Sequence, residues 1–72
     1  MTLTELRYIV TLAKSCHFGV AAELCNVSQP TLSIAVKKLE QELKVELFER
    51  SRNRVLVTPV GKKIIAQSLL AL

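Results

Sequence analysis

Residues Cys25 to Glu40 read CNVSQPTLSIAVKKLE. From Leu32 onward the stretch has helical character, yet a proline, two serines, a threonine and a glutamine crowd its front. Asn26 can take the left-handed conformation that ends a preceding helix, and Val27 can plug the core between the two helices. Ser28 is a good N-cap. Pro30 then falls in the first turn, where a missing N–H removes only one of the orphan donors that every helix start carries. The proline therefore begins a helix rather than breaking one. Leu32, Val36, Leu39 and Leu43 follow at i, i+4, i+7 and i+11, a buried stripe on a helix that reaches about Leu43.

Upstream, Thr2 and Glu5 fit a capping box. Leu3, Leu6, Ile9, Val10 and Ala13 recur at helical spacing, which predicts a first helix to about Ser15. The segment CHFG interrupts this period: Phe18 is a candidate buried anchor and Gly19 suits the opening of a new helix. VAAELC is then a short second helix of two turns, whose paired alanines Ala21 and Ala22 let helices approach closely. Downstream the period changes. VELFER and RVLVT are short segments rich in β-branched and aromatic residues, separated by SRN, where Asn53 can supply the turn of a two-stranded hairpin. Thr58-Pro59 repeats the cap-plus-proline signature and opens a fourth helix over VGKKIIAQSLLAL. Its apolar positions Ile64, Ile65, Leu69 and Leu72 are too many for a solvated helix and predict pairing with a second copy. The pattern runs to Leu72 without a C-cap, as expected for a piece of a longer protein.

At 72 residues, half of them apolar, the chain has room for one small domain with a single core. A folded rather than disordered chain is expected at this hydrophobicity. The formal net charge is +4 and the pI is about 9.4, a balance that favours an anionic partner such as nucleic acid. Its distribution says more than its total. Every acid lies at or before Glu49, whereas Arg50, Arg52, Arg54, Lys62 and Lys63 follow with no acid among them. Neither a signal peptide nor an apolar run approaching about 18 residues is present, so a cytoplasmic, membrane-free protein is expected. In such a reducing compartment Cys16 and Cys25 read as free thiols, small buried hydrophobes rather than a disulfide.

Helix, short helix, tight turn and capped helix is the order of a helix-turn-helix, whose last helix enters the DNA major groove. At 100° per residue, the stripe from Leu32 to Leu43 points one way. Pro30, Thr31, Ser33, Ile34, Lys37 and Lys38 fan across the other side, with Gln29 at the margin. Gln29 can bond an adenine bidentately, Ser33 suits several base edges, and Pro30 or Ile34 can touch a thymine methyl. Ser28 and Thr31 serve the helix start or the backbone, while Lys37 and Lys38 reach phosphates. Arg50, Arg52 and Arg54 surround the hairpin tip, which as a wing can lay an arginine into the minor groove. The bland alternatives are a merely capped helix and a solvated basic turn. A small helical protein-interaction module without nucleic-acid binding, and a thiol switch at Cys16 and Cys25, also stand open. Catalysis has no support: no set of His, carboxylate and nucleophile, no glycine-rich phosphate loop and no metal-ligand cluster occurs. No cofactor is expected, and His17 reads as a packed or capping residue.

HFGVAAELCNVSQPTLSIAVKKLEQEL, followed by LFER and RVLVTPVG, resembles the N-terminal DNA-binding domain of the LysR-type transcriptional regulators. The pattern is met at Phe18, Ala21, Ala22, Val27 to Pro30, Leu32, Ser33, Val36, Leu39, Glu40, Leu43, Leu47, Phe48, Arg50, Thr58 and Gly61, across essentially the whole chain. LRYIVTLAKSCHF, Cys25 and VSQPTLS are most similar to the hydrogen-peroxide-sensing members. The resemblance implies a mainly α fold: a winged helix-turn-helix over residues 1–58, then from 59–72 the beginning of a dimerising linker helix. It implies double-stranded DNA as partner, a homodimer or a tetramer in the full-length protein, and effector sensing in a C-terminal domain outside this chain. It places Gln29, Pro30 and Ser33 at base-reading positions, and Ser28, Thr31 and Lys37 near bases or backbone. Arg52 or Arg54 falls at the minor-groove position of the wing. It assigns the reactive cysteines of the peroxide sensors to the effector domain, so Cys16 and Cys25 inherit no redox role. Three residues depart from the pattern. Lys44 replaces a glycine where a left-handed conformation is expected, at a cost of about 1 kcal/mol. Ile34 stands where an arginine or polar residue is common, and Val20 where an arginine or serine is frequent.

Overall fold

The computed structural model describes residues 1–51 and 54–70. Its elements run α1 (Leu3–Ser15), α2 (Phe18–Leu24), α3 (Gln29–Leu43), β1 (Phe48–Ser51), β2 (Arg54–Val57) and α4 (Pro59–Leu70). Helices with a two-stranded antiparallel wing match the expected winged helix-turn-helix.

Each helix start is closed by a side chain. The Glu5 N–H donates to Thr2 Oγ1 at 3.0 Å and the Thr2 N–H to Glu5 Oε1 at 2.8 Å, the reciprocal bonds of a capping box. At α2 the cap is an imidazole: the Val20 N–H donates to His17 Nδ1 at 3.2 Å. The Thr31 N–H donates to Ser28 Oγ at 3.2 Å, with Pro30 in the first turn of α3. At α4 the Gly61 N–H donates to Thr58 Oγ1 at 3.0 Å. Asn26 takes φ 58° in the turn between α2 and α3.

Helices α1, α2 and α3 enclose the core, built on Leu6, Ile9, Leu12, Ala21, Ala22, Leu32, Val36 and Leu39. Cys25 is buried and Cys16 half-buried, both as free thiols. Periodicity named the right faces but not always their depth. Leu3, in the first turn of α1, is 70% exposed, and Leu12 takes the buried place instead. Leu43 is 37% exposed, because α3 ends there and the chain turns away at Lys44, where φ is 57°.

The strands pair with Phe48 opposite Val57 and Ser51 opposite Arg54. The first strand starts three residues later than VELFER suggested. Glu40 is the reason: its Oε2 accepts the N–H groups of Leu47 at 2.8 Å and Phe48 at 3.2 Å. Leu47 is itself fully buried, a plug between α3 and the wing. The Val55 N–H donates to the Cys16 carbonyl at 3.1 Å, which ties β2 to the end of α1.

Helix α4 is pinned to the same place. The Thr58 hydroxyl donates to the Glu46 carbonyl at 2.6 Å and the Thr58 N–H to the Leu47 carbonyl at 3.0 Å. Gly61 lies so close that a Cβ there would collide with the Leu47 carbonyl oxygen. This docking draws part of the expected pairing face of the fourth helix inward: Ile65 is buried in the core, and Ile64 is half-buried against it. Leu69 is 48% exposed, and Leu72 lies outside the described residues.

Three substitutions measure these joints by urea denaturation. Lys44→Gly relieves a side chain from left-handed backbone and is expected to stabilise the fold by about 0.5–1 kcal/mol. Glu40→Ala strands two amide donors and is expected to destabilise it by about 2–3 kcal/mol. Glu40→Gln, which keeps one acceptor oxygen, should fall between Glu40→Ala and the unsubstituted chain.

Candidate nucleic-acid interface

The start of α3, the start of α2 and the wing meet at one cleft of about 420 Å³. His17, Phe18, Gln29, Ser33, Arg50, Arg54 and Val55 line it. Four residues singled out from sequence, Gln29, Ser33, Arg50 and Arg54, are thus brought together, although up to 25 positions separate them in the chain. No carboxylate is among the described lining residues, so beside the apolar Phe18 and Val55 the polar part of the cleft is cationic or neutral.

Local structure sets each of these side chains. Gln29 is the first residue of α3 and exposed. A Cβ at Gly19 would lie 3.5 Å from Gln29 Oε1 and 3.0 Å from His17 Cε1, so the amide reaches over the start of α2. Ser33 follows one turn later, half-buried on the same side. Arg50 sits on β1 opposite Val55, and its guanidinium lies over the Phe18 ring with Cζ 4.8 Å from the centroid. Such cation–π contact restrains a long side chain while leaving the donors at the guanidinium edge available. Arg54 begins β2 and is exposed. Arg52, the remaining wing candidate, lies outside the described residues.

The other residues of the helix fall into two sets. Ser28 and Thr31 are exposed but engaged with one another: the Ser28 hydroxyl donates to Thr31 Oγ1 at 2.8 Å while capping the helix. Pro30 is exposed beside them. Further along, Ile34, Lys37, Lys38 and Gln41 share a second, shallower patch. Lys37 also borders a surface with Glu40, Glu46, Glu49 and Arg50, so its charge sits among carboxylates, whereas Lys38 lies only on the acid-free side among these surfaces.

Three participants were not identified as site residues from sequence. His17, expected as a packed or capping residue, caps α2 and also lines the cleft. Phe18, expected as a buried anchor, is half-buried with its ring under Arg50. Glu40 orients the wing from behind. Its signal in the sequence is only a carboxylate beside the buried stripe, seven residues before Leu47.

Among the described residues no group of three or more His, Cys, Asp or Glu is placed to hold a metal. No helix among them is long and apolar enough to cross a membrane.

Comparison with known proteins agrees with this geometry. The family profile described as bacterial regulatory helix-turn-helix protein, lysR family, matches residues 3–62. The hydrogen peroxide-inducible genes activator of Pectobacterium carotovorum subsp. carotovorum is 47% identical over 68 residues, covering 94% of this chain and 22% of that protein. Among solved structures, a full-length OxyR variant from Pseudomonas aeruginosa is 66% identical with a TM-score of 0.90, covering 99% of this chain and 24% of that one. The DNA complex of the CbnR DNA-binding domain superposes with a TM-score of 0.92 at 28% identity, over 99% of this chain and 82% of that one. The chain spans about a fifth of the length of the curated relatives it matches. By the extent of the matched profile and the geometry of its capped third helix and wing, the chain belongs to the LysR family of bacterial helix-turn-helix regulators.

Proposed function

We propose that this chain is the DNA-reading domain of a LysR-type regulator of a peroxide response, binding double-stranded DNA sequence-specifically as a homodimer. One observation carries the reading: the polar first turn of α3 and the basic wing converge on a single cleft without a carboxylate. A duplex is a polyanion with a groove wide enough for a helix, and it answers both halves of that surface at once. Helix α3 enters the major groove with Gln29, Pro30 and Ser33 toward base edges. Lys37 and Lys38 meet phosphates, and the wing residues Arg50 and Arg54 reach the flanking backbone or minor groove.

The relatives supply the biological context. Curated proteins matched over 94% of the chain are named hydrogen peroxide-inducible genes activators, and DNA complexes of the BenM and CbnR DNA-binding domains share its fold. Residues 1–58 form the winged domain in this reading, and α4 from Pro59 begins the linker to the partner protomer. Its pairing face is built around Leu69 and the exposed side of the helix, since Ile65 is committed to the core. The function is binding and transcriptional control, in the cytoplasm, with signal sensing assigned to the remainder of the full-length protein.

Fluorescence anisotropy with a duplex selected from a random-sequence pool tests the reading. Affinity should fall steeply with salt as counterions are released; salt-independent or absent binding contradicts it. Gln29→Ala is expected to relax sequence preference at one base step by about 1–3 kcal/mol. Lys38→Ala should weaken all duplexes alike and lower the salt slope by about one. A sequence-selective loss in that variant would reassign Lys38 to base reading.

A further inference from the structure

We propose that Ile34 is a specificity-determining residue that reads the 5-methyl group of a thymine in the major groove, one helical turn beyond Pro30. This deepens, and rests on, the reading of the chain as a DNA-binding domain.

Ile34 is 69% exposed, whereas Leu32, Val36 and Leu39 on the same helix are at most 1% exposed. Isolated exposed apolar residues are ordinary on protein surfaces. Ile34 differs from them in its surroundings. It shares its patch with Lys37, Lys38 and Gln41, two cations and a neutral amide. Lys37 also borders Glu40, Glu46 and Glu49, but Lys38 does not, so its cation suits a polyanion and Ile34 puts an aliphatic group beside it. Isoleucine has no donor for a phosphate and no partner for a base N or O atom. On the major-groove edge of DNA, the apolar complement available to it is the thymine methyl.

Position and stiffness agree. Ile34 follows Ser33, which lines the cleft with Gln29. It stands four residues after Pro30, or about 6 Å along the helix axis. That separation exceeds the spacing of one base-pair step, about 3.4 Å, so Pro30 and Ile34 can address different base pairs. A β-branched side chain in a helix is held near one χ1 rotamer. Ile34 therefore presents its methyl groups in a fixed direction and loses little freedom on contact.

The test removes one methyl group at a time from the DNA. In the selected duplex, each thymine is replaced singly by 2′-deoxyuridine, which lacks only the 5-methyl group, and binding is measured for the unsubstituted chain and for Ile34→Ala. The expected result is one position per half-site where the replacement weakens the unsubstituted chain about fourfold, the worth of one buried methyl group. At that position Ile34→Ala should bind the thymine and deoxyuridine duplexes equally, while penalties at other positions persist. Circular dichroism checks that the variant folds, and Ile34→Val, which keeps the branched end, should retain part of the discrimination. Identical deoxyuridine profiles for the unsubstituted chain and Ile34→Ala would overturn the assignment, as would a uniform loss of affinity at every position. Failure of the unsubstituted chain to bind any duplex would instead overturn the DNA-binding reading itself, and this inference with it.

Discussion

The fold turns on the backbone of Leu47, which is held at both its N–H and its carbonyl. Its N–H is taken by the Glu40 carboxylate at 2.8 Å, and its carbonyl accepts from the Thr58 N–H at 3.0 Å. Its side chain is fully buried, and Gly61 is tight against its carbonyl oxygen. Glu40 belongs to α3, and Thr58 and Gly61 belong to the start of α4. Phe48, whose N–H shares the same carboxylate, opens β1. One dipeptide therefore sets the reading helix, the wing and the linker helix relative to one another. Hydrogen bonds to a charged acceptor are the stronger kind, roughly 1.5–3 kcal/mol each. Arg50 comes only two residues after Phe48, so its place beside Gln29 and Ser33 is inherited from this joint.

The first turn of α3 divides its polar groups between structure and recognition. Ser28 and Thr31 spend their hydroxyls on the cap and on each other. Pro30 has no amide hydrogen to satisfy. What remains outward and uncommitted is Gln29, the edge of Ser33 and the aliphatic ends of Pro30 and Ile34. A helix start normally carries orphan donors that need water or a partner; here the cap removes that need and leaves the outer side chains to address a groove. The imidazole cap of α2 works in the same way from the opposite wall. Because Nδ1 accepts the Val20 N–H, the ring proton of neutral His17 resides on Nε2.

Much of this was readable from the residues, for definable reasons. Caps, the proline in the first turn, the left-handed Asn26 and Lys44 and the change of period after Leu43 are local signals. The helices and the hairpin follow from them. Burial depth is not local. Leu3 and Leu43 satisfy the helical period yet end up exposed, because each sits at a helix end where the packed neighbours stop. Ile65 satisfies the pattern of a pairing helix yet fills the core, because Gly61 lets α4 approach Leu47 closely enough to bring it there. The reading face of α3 was legible because helical phase alone separates it from the stripe. Glu40 and Phe18 were assigned their neighbours only by tertiary contact, between residues seven to 32 positions apart.

The Phe18–Arg50 contact shows how the two halves of the interface act as one. Phe18 opens α2, and its ring is half-buried against the core. It therefore offers Arg50 a platform that does not move independently of the helix-turn-helix. A free arginine on a short strand loses considerable rotamer freedom when it grips a phosphate, up to about 2 kcal/mol. With its guanidinium already over the ring, part of that ordering is complete before DNA arrives. The face of the guanidinium is used by the ring, while phosphate or base recognition uses the donors at its edge. The aromatic residue that helps pack α2 thus also prepares the wing. The constraint runs in the other direction as well, since a shift of α2 against α3 would displace Arg50 and the Gln29 amide together.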